Sequence, residues 1–231
     1  MSWVHDLYNV KAWKKYSQSC EESYLDFILD KLPSKGKYIV ELGAWDGYHL
    51  SNTRYFIESK DYQALLIDGD NHGNEEVKKH FVTKENILDI LAQYSCPTEF
   101  DLFCIDLDGN DIYILEEVLS KYKPNLIVAE FNPKFQPQHS YAIQYDPNHT
   151  WSNDDYYGFS FRAGLIMANK FGYTCIFQND ALNMYFVKTD VLAQTLGCEV
   201  DDICKFMPPV TYTPTVYHPL SKKNNWVIYY Q

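Results

Sequence analysis

The run Tyr38-Ile39-Val40-Glu41-Leu42-Gly43-Ala44-Trp45-Asp46-Gly47 is an apolar stretch that ends in a carboxylate and opens into a glycine loop. Asp68 closes a second apolar run about 20 residues further on, the interval at which a dinucleotide-type fold sets a carboxylate against a ribose diol. Residues so spaced can hold a nucleoside. The loop lacks the full G-x-G-x-x-G pattern, and Asp46 stands where a helix N-terminus would otherwise receive phosphate. A pyrophosphate there meets like charge, whereas a cationic nucleoside does not. The competing reading is a tight strand-to-helix turn with Asp46 as its N-cap.

S-adenosylmethionine has a ribose, an ammonium and a sulfonium but no phosphate, which suits Glu41, Asp46 and Asp68 better than NAD does. Two further apolar runs also end in acids, at Asp106 and Glu130. The C-terminal strand ends of an open parallel sheet border its ligand crevice, so four acids reaching them form a second signal for a binding site. Ordinary helix caps account for one or two of the four, less easily for all.

The elements that must position these groups follow from the alternation of apolar runs and helical segments after Lys37, the pattern of a parallel α/β sheet. Strands are expected at Tyr38–Leu42, Ala64–Ile67, Leu102–Ile105 and Leu126–Ala129, with a weaker one near Phe81–Val82. Helices are expected near Ser51–Ser59, Asn86–Tyr94 and Tyr113–Tyr122. Upstream, Ser17–Leu32 reads as an amphipathic helix with a Ser19/Glu22 capping box and a stop at Pro33. The stretch Val10–Tyr16 before it is an aromatic and basic arm, either packed or a lid over the site. Phe131–Tyr157 lacks periodicity and is rich in aromatics, as a binding loop or lid is. A helix at Phe161–Phe171 and a hairpin of Tyr173–Phe177 with Met184–Val187 follow. Past Asp190 come a short helix and a Pro/Thr/Tyr-rich tail ending in the strand-like Trp226–Tyr230. The division is thus an N-terminal helical arm (1–36), a central domain (37–190) and a C-terminal helix with an extended tail (191–231).

The chain has 231 residues, 46% of them hydrophobic, and a net charge of −11. One sizeable core is expected, and the acidic balance argues against nucleic acid or an anionic membrane as partner. The start of the chain shows no signal peptide and no run is long enough for a membrane span, so a cytoplasmic location is expected. The six cysteines are scattered, without C-x-x-C pairs, and read as free thiols. Cys198, Cys204 and His218 lack zinc spacing. Twenty tyrosines and five tryptophans exceed what a core of this size uses, so some should line a pocket or an interface. The tail could mediate a homo-oligomer.

Three stretches carry a family resemblance. Val40–Gly47 with Ser51-Asn52-Thr53 resembles the first motif of class I S-adenosylmethionine-dependent methyltransferases, although only Gly43 and Gly47 of its usual glycines are present. Phe100–Asp111, including Asp106-Leu107-Asp108-Gly109-Asn110-Asp111, looks like the fourth-strand motif of the FkbM-like branch. The region around Tyr157–Ser160 and from Gly172 through Asn183–Val187 is similar to the same branch. The resemblance implies a Rossmann-like three-layer αβα fold with a seven-stranded, mostly parallel sheet whose last strand is antiparallel. It further implies that Glu41, Gly43, Ala44, Asp46 and Gly47 approach the methionine part of the cofactor. Asp68 and Gly69 would meet the ribose, with Asp70 competing for that role, and Glu85, Asn86 and Ile87 would lie near adenine.

Methyl transfer is an in-line displacement at the sulfonium methyl, so the acceptor must be aligned and deprotonated. Asp106 and Asp108 are the candidate catalytic acids. Asp106, Glu130 and Asn132 make a hard oxygen set suited to Mg²⁺ or another divalent cation, with Asp108 as a further ligand or a base. This resembles the metal site of catechol-type O-methyltransferases; the alternative is an Asp-Gly-Asn-Asp turn that caps the next helix. His139 and His149 in the long loop are candidate bases. The expected activity is O-methylation of a small molecule, sugar or glycoconjugate. Two other readings are open: a nicotinamide-dependent oxidoreductase, and a non-catalytic module that keeps a cofactor-binding fold for assembly.

Overall fold

The computed structural model describes residues 2–180 and 182–230. Two helices, α1 (Trp3–Leu7) and α2 (Glu21–Leu29), precede an alternating series: β1 (Tyr38–Leu42), α3 (Arg54–Lys60), β2 (Gln63–Asp68), β3 (Val77–Lys79), α4 (Ile87–Gln93), β4 (Glu99–Ile105), α5 (Asp111–Lys121) and β5 (Lys123–Glu130). Then come β6 (Tyr141–Ile143), α6 (Phe161–Lys170), β7 (Tyr173–Asn179), β8 (Asn183–Lys188), α7 (Thr189–Leu196), a 3-10 helix at Val200–Phe206 and β9 (Trp226–Ile228).

Seven strands form one sheet in the order β3-β2-β1-β4-β5-β8-β7. Strands β1 to β5 are mutually parallel, while β8, the last of the seven in the chain, runs antiparallel to both β5 and β7. This is the Rossmann-like α/β architecture expected from the sequence. Its chain order reverses between β1 and β4, which opens a crevice at their C-terminal ends.

The strand period of two sorts side chains into two cores. Val40, Leu42, Phe103, Ile105, Ile127 and Ala129 face α4, α5 and α6, whereas Ile39, Leu102, Cys104, Leu126 and Val128 face α1, α2 and α7. Both faces are covered, so the strands read as continuous apolar runs, as buried parallel strands do. Each fully buried Leu, Ile or Val contributes roughly 1.5–3 kcal/mol over exposure.

Two local expectations are corrected. The third strand is Val77–Lys79 and not Phe81–Val82: Leu66, Ile67 and Asp68 of β2 pair with Val77, Lys78 and Lys79, and pairing ends there, although Val82 still packs into the core. The Ser19/Glu22 capping box does not form. Glu22 turns back to accept the backbone N–H groups of Lys15 and Tyr16 and the Ser17 hydroxyl, and Cys20, in a left-handed conformation, caps α2. Glu21 is wholly buried and accepts the amide N–H groups of Asn179 and Asn183, which fastens α2 to the β7–β8 hairpin.

The tail folds back on its own chain: β9 pairs with β6, within the long segment after β5. Asp155 holds it there, accepting from Ser221 N at 2.7 Å while paired with Lys134 at 3.0 Å. Among the described residues no helix is long and apolar enough to cross a membrane.

Candidate functional site

Register places the acids. Leu42 pairs with Ile67 of β2 and with Ile105 of β4, and Ile105 pairs with Ala129 of β5. The next residues along, Asp68, Gly43, Asp106 and Glu130, therefore stand in one row across four adjacent strands at the C-terminal edge. The crevice between β1 and β4 lies at the centre of that row.

Gly43 is indispensable there. Its φ is +82°, and a Cβ would collide with the Asp106 carbonyl oxygen, so only glycine lets β1 and β4 run this close. The loop beyond it is shaped by Asp46, whose Oδ1 accepts from Tyr48 N at 2.8 Å and His49 N at 2.6 Å. These bonds, His49's first, hold the Asp46 carboxyl below the usual aspartate range. Gly47, with φ +77°, offers its carbonyl to the buried Arg54 Nε at 2.6 Å.

Asp68 faces this loop. Its Oδ2 accepts from Trp45 N at 2.8 Å and its Oδ1 from Asp70 N at 2.9 Å. Asp70 is instead an exposed partner of Lys79 at 3.1 Å. Of the two candidates for ribose, Asp68 is the one turned towards the glycine loop.

Three residues expected at the cofactor have their polar groups engaged elsewhere. Glu41 is buried, accepting from the Ser51 hydroxyl at 2.8 Å, Asn52 N at 2.8 Å and the Thr53 hydroxyl at 2.5 Å. Burial raises its pKa against the pull of those donors, and it organises the loop from beneath. The Asn86 side chain bridges Thr83 N and the Phe81 carbonyl. Ile87 is buried in the core, with its N–H on the Thr83 carbonyl. Phe81, expected in the third strand, instead leaves its half-exposed ring 3.8 Å from where a Cβ on Gly69 would stand, at the tip of β2.

On the other side of the crevice, Asp106, Asp108 and Glu130 bring one carboxylate oxygen each to within 4.8 Å of one another. Asn132 does not join them. Its Nδ2 donates to the carbonyls of Asp155 at 3.0 Å and Tyr157 at 3.1 Å, and its Oδ1 accepts from Lys134 N. Asp108 takes the place expected of Asn132. Asp111, by contrast, caps the turn, accepting from Leu107 N at 2.7 Å and Gly109 N at 2.8 Å. Asp111 thus closes the turn without capping α5, whose N-cap Asn110 makes no side-chain cap bond, and the cluster consists of the other three acids.

Among the described residues no Lys, Arg or His forms an ion pair with this trio. Burial, then the charges of Asp108 and Asp111, push Asp106 well above the carboxylate range. Burial and Asp106 do the same to Glu130, and Asp108 rises to about 6, chiefly through burial. Three hard oxygen donors that repel one another in a partly dry site, with no protein cation beside them, fit a divalent ion. The Tyr157 hydroxyl feels the same acids, and burial with the Glu130 charge raises its pKa.

The loop histidines separate. His139 is exposed, its ring 6.1 Å from that of Tyr141. His149 rests on the turn after Asp108, where a Cβ on Gly109 would lie 2.5 Å from its ring.

No family model matches the chain, and no curated protein does. Among solved structures it is similar to the CurJ carbon methyltransferase, at 12% identity and a TM-score of 0.44, over 74% of this chain and 56% of that one. The chain thus spans little more than half the length of that protein. It is also similar to a candidate O-methyltransferase from Klebsiella pneumoniae, at 15% identity and a TM-score of 0.42, over 80% of this chain and 86% of that one. A SAM-dependent methyltransferase from Aquifex aeolicus is a third, at 9% identity and a TM-score of 0.38, over 70% and 87% of the respective chains.

Proposed function

We propose that this protein is an S-adenosylmethionine-dependent methyltransferase of the FkbM-like branch, acting on a hydroxyl oxygen of a small molecule, sugar or glycoconjugate. The observation that carries this reading is the single row of Asp68, Gly43, Asp106 and Glu130 across the chain reversal between β1 and β4. It divides the crevice into two chemistries. Asp68 and the glycine loop offer a carboxylate and close backbone to a ribose and a cationic amino acid, with Phe81 beside them as an aromatic platform for the base. Asp106, Asp108 and Glu130 offer oxygen ligands to a divalent cation on the acceptor side.

Bound there, the cofactor supplies an electrophilic methyl on sulfur, and the cation supplies a Lewis acid that lowers the pKa of an acceptor hydroxyl. The protein's part is placement and proton handling. Asp106 and Glu130 would hold the ion, while Asp108, whose carboxyl burial pushes up to about 6, would be either a third ligand or the base that takes the acceptor's proton.

The loop supports this reading over a nicotinamide one. Asp46 occupies the turn, and the first α3 N–H donors are already engaged: Arg54 N on the Ser51 hydroxyl at 3.1 Å and Phe56 N on the Thr53 carbonyl at 2.9 Å. Little is left to cradle a pyrophosphate. Calorimetry with S-adenosylhomocysteine and with NADH tests the choice: a methyltransferase binds the first, an oxidoreductase the second, and a non-catalytic module neither. Chelation by EDTA followed by Mg²⁺ tests the ion, since activity that survives chelation excludes it.

A further inference from the structure

A cavity of about 400 Å³ adjoins the Gly109-Asn110 turn that follows Asp108, lined by Tyr145, Asp146, His149, Tyr156, Lys223 and Asn225 among others. It is anchored to the turn that carries Asp108. Asn110 Nδ2 donates to the Asp146 carbonyl at 2.7 Å, and His149 packs on Gly109. The opposite wall comes from the distant C-terminal tail. Tyr156 OH donates to the Asn225 carbonyl at 2.8 Å, and Lys223 N donates to the Ser221 hydroxyl at 3.0 Å, which fixes the tail in place.

Two polar groups in this wall have bonding capacity left over, although the His149 ring also meets the Asp108 backbone and Lys223 feels the charge of Asp154. Lys223 makes no ion pair among the described residues, although the chain carries 31 acidic side chains against 20 basic. His149 Nε2 is buried with no hydrogen-bond partner, a costly state for a ring nitrogen unless a ligand or solvent meets it. The one acid in the lining, Asp146, is exposed and has one carboxylate oxygen engaged, its Oδ1 accepting from Asn148 N at 2.9 Å, while its charge still reaches His149 and Tyr156. Two tyrosine rings supply apolar faces. A concave site with aromatic walls, amide groups and a single cation suits a polyhydroxylated ring that bears one carboxylate.

We infer that this cavity is a subsite for an acidic sugar unit, with Lys223 on the carboxylate and His149 on a ring hydroxyl. Its role as the acceptor's subsite rests on the methyltransferase reading, but binding does not. Glucuronate and glucose are titrated by calorimetry into the full chain, into Lys223→Gln and into His149→Gln, with S-adenosylhomocysteine titrated into each in parallel. Lys223 is exposed, so its substitution leaves the fold intact. Glucuronate should bind more tightly than glucose; Lys223→Gln should weaken glucuronate at least tenfold and leave glucose unchanged, while His149→Gln weakens both. Equal affinity for the two sugars, no binding of either, or an unchanged glucuronate affinity in Lys223→Gln overturns the inference. Glucuronate binding with no S-adenosylhomocysteine binding removes the methyltransferase reading and leaves the sugar site standing.

Discussion

Asp68 Oδ2 and Trp45 N lie 2.8 Å apart, so the carboxylate at the tip of β2 fixes the backbone of the glycine loop that follows β1. The same side chain stands at the crevice, beside Gly69 and Phe81. On the proposed function, cofactor affinity and loop geometry should be coupled through this one residue.

Asp68→Ala should weaken S-adenosylhomocysteine binding by about 1–3 kcal/mol, the range for unmatched buried or charged hydrogen-bond partners. Asp70→Ala should leave it unchanged, because Asp70 is exposed and pairs with Lys79. Calorimetry on both variants decides. Equal losses would return Asp70 to the site.

Phe81→Ala should cost about 1–3 kcal/mol of the same affinity, as removal of a stacking ring under a base does. Its ring is half-exposed, so the unfolding midpoint should hold. A variant that binds as tightly as the parent excludes Phe81 as the adenine platform.

Glu41→Ala should act on stability. It strands the Ser51 and Thr53 hydroxyls and Asn52 N in a buried site, at an expected cost of about 2–4 kcal/mol. Urea unfolding measures it. A stable variant with lost cofactor binding would show that Glu41 contacts the ligand after all.

Gly43→Ala should be more damaging than Gly36→Ala. Both glycines have positive φ, but only Gly43 faces backbone, the Asp106 carbonyl. A left-handed alanine costs about 1–2 kcal/mol, and the collision adds about 1–3 kcal/mol. Similar midpoints for the two variants would mean that β1 and β4 separate without penalty.

The acid cluster gives a pH signature. Asp106, Asp108 and Glu130 all have raised pKa values in the folded chain, so the native state binds more protons than the unfolded one. Stability from these groups is fully present below the ordinary carboxylate range and is lost as pH rises, for Asp108 through about 6. A divalent ion must displace those protons, so Mg²⁺ affinity should climb across the same interval and its binding should release protons. Calorimetry in buffers of different ionisation enthalpy reads the release directly. Mg²⁺ binding that is flat with pH would place the ion elsewhere.

Much of this arrangement was legible in the chain. The apolar runs ending at Asp68, Asp106 and Glu130 gave parallel strands with acidic tips, because a strand buried on both faces must be apolar along its length and must turn polar where it emerges; Glu41, expected at a fourth tip, lies buried within β1, and Gly43 takes its place in the row. Side-chain partnerships were not legible. Glu41, Asn86 and Asn132 have the right types at the right places, yet each is engaged by nearby donors or carbonyls that the chain brings up only on folding. The third strand was misplaced because three residues carry too little pattern to separate Val77 from Phe81.

By itself, then, the sequence determined the alternating α/β pattern and the acids at the ends of three strands, since these follow from periodicity and from residues that break it, while the seven-stranded sheet with its antiparallel last strand was implied by the family resemblance. Only the tertiary structure decided that Asp68 and not Asp70 faces the glycine loop, that Asp108 replaces Asn132 beside Asp106 and Glu130, and that the tail delivers Lys223 to a cavity adjoining the Gly109-Asn110 turn. Those outcomes depend on pairings between residues far apart in the chain, such as Ile105 with Ala129 and Ala142 with Val227. Local spacing carries no information about which distant strand end a side chain will meet.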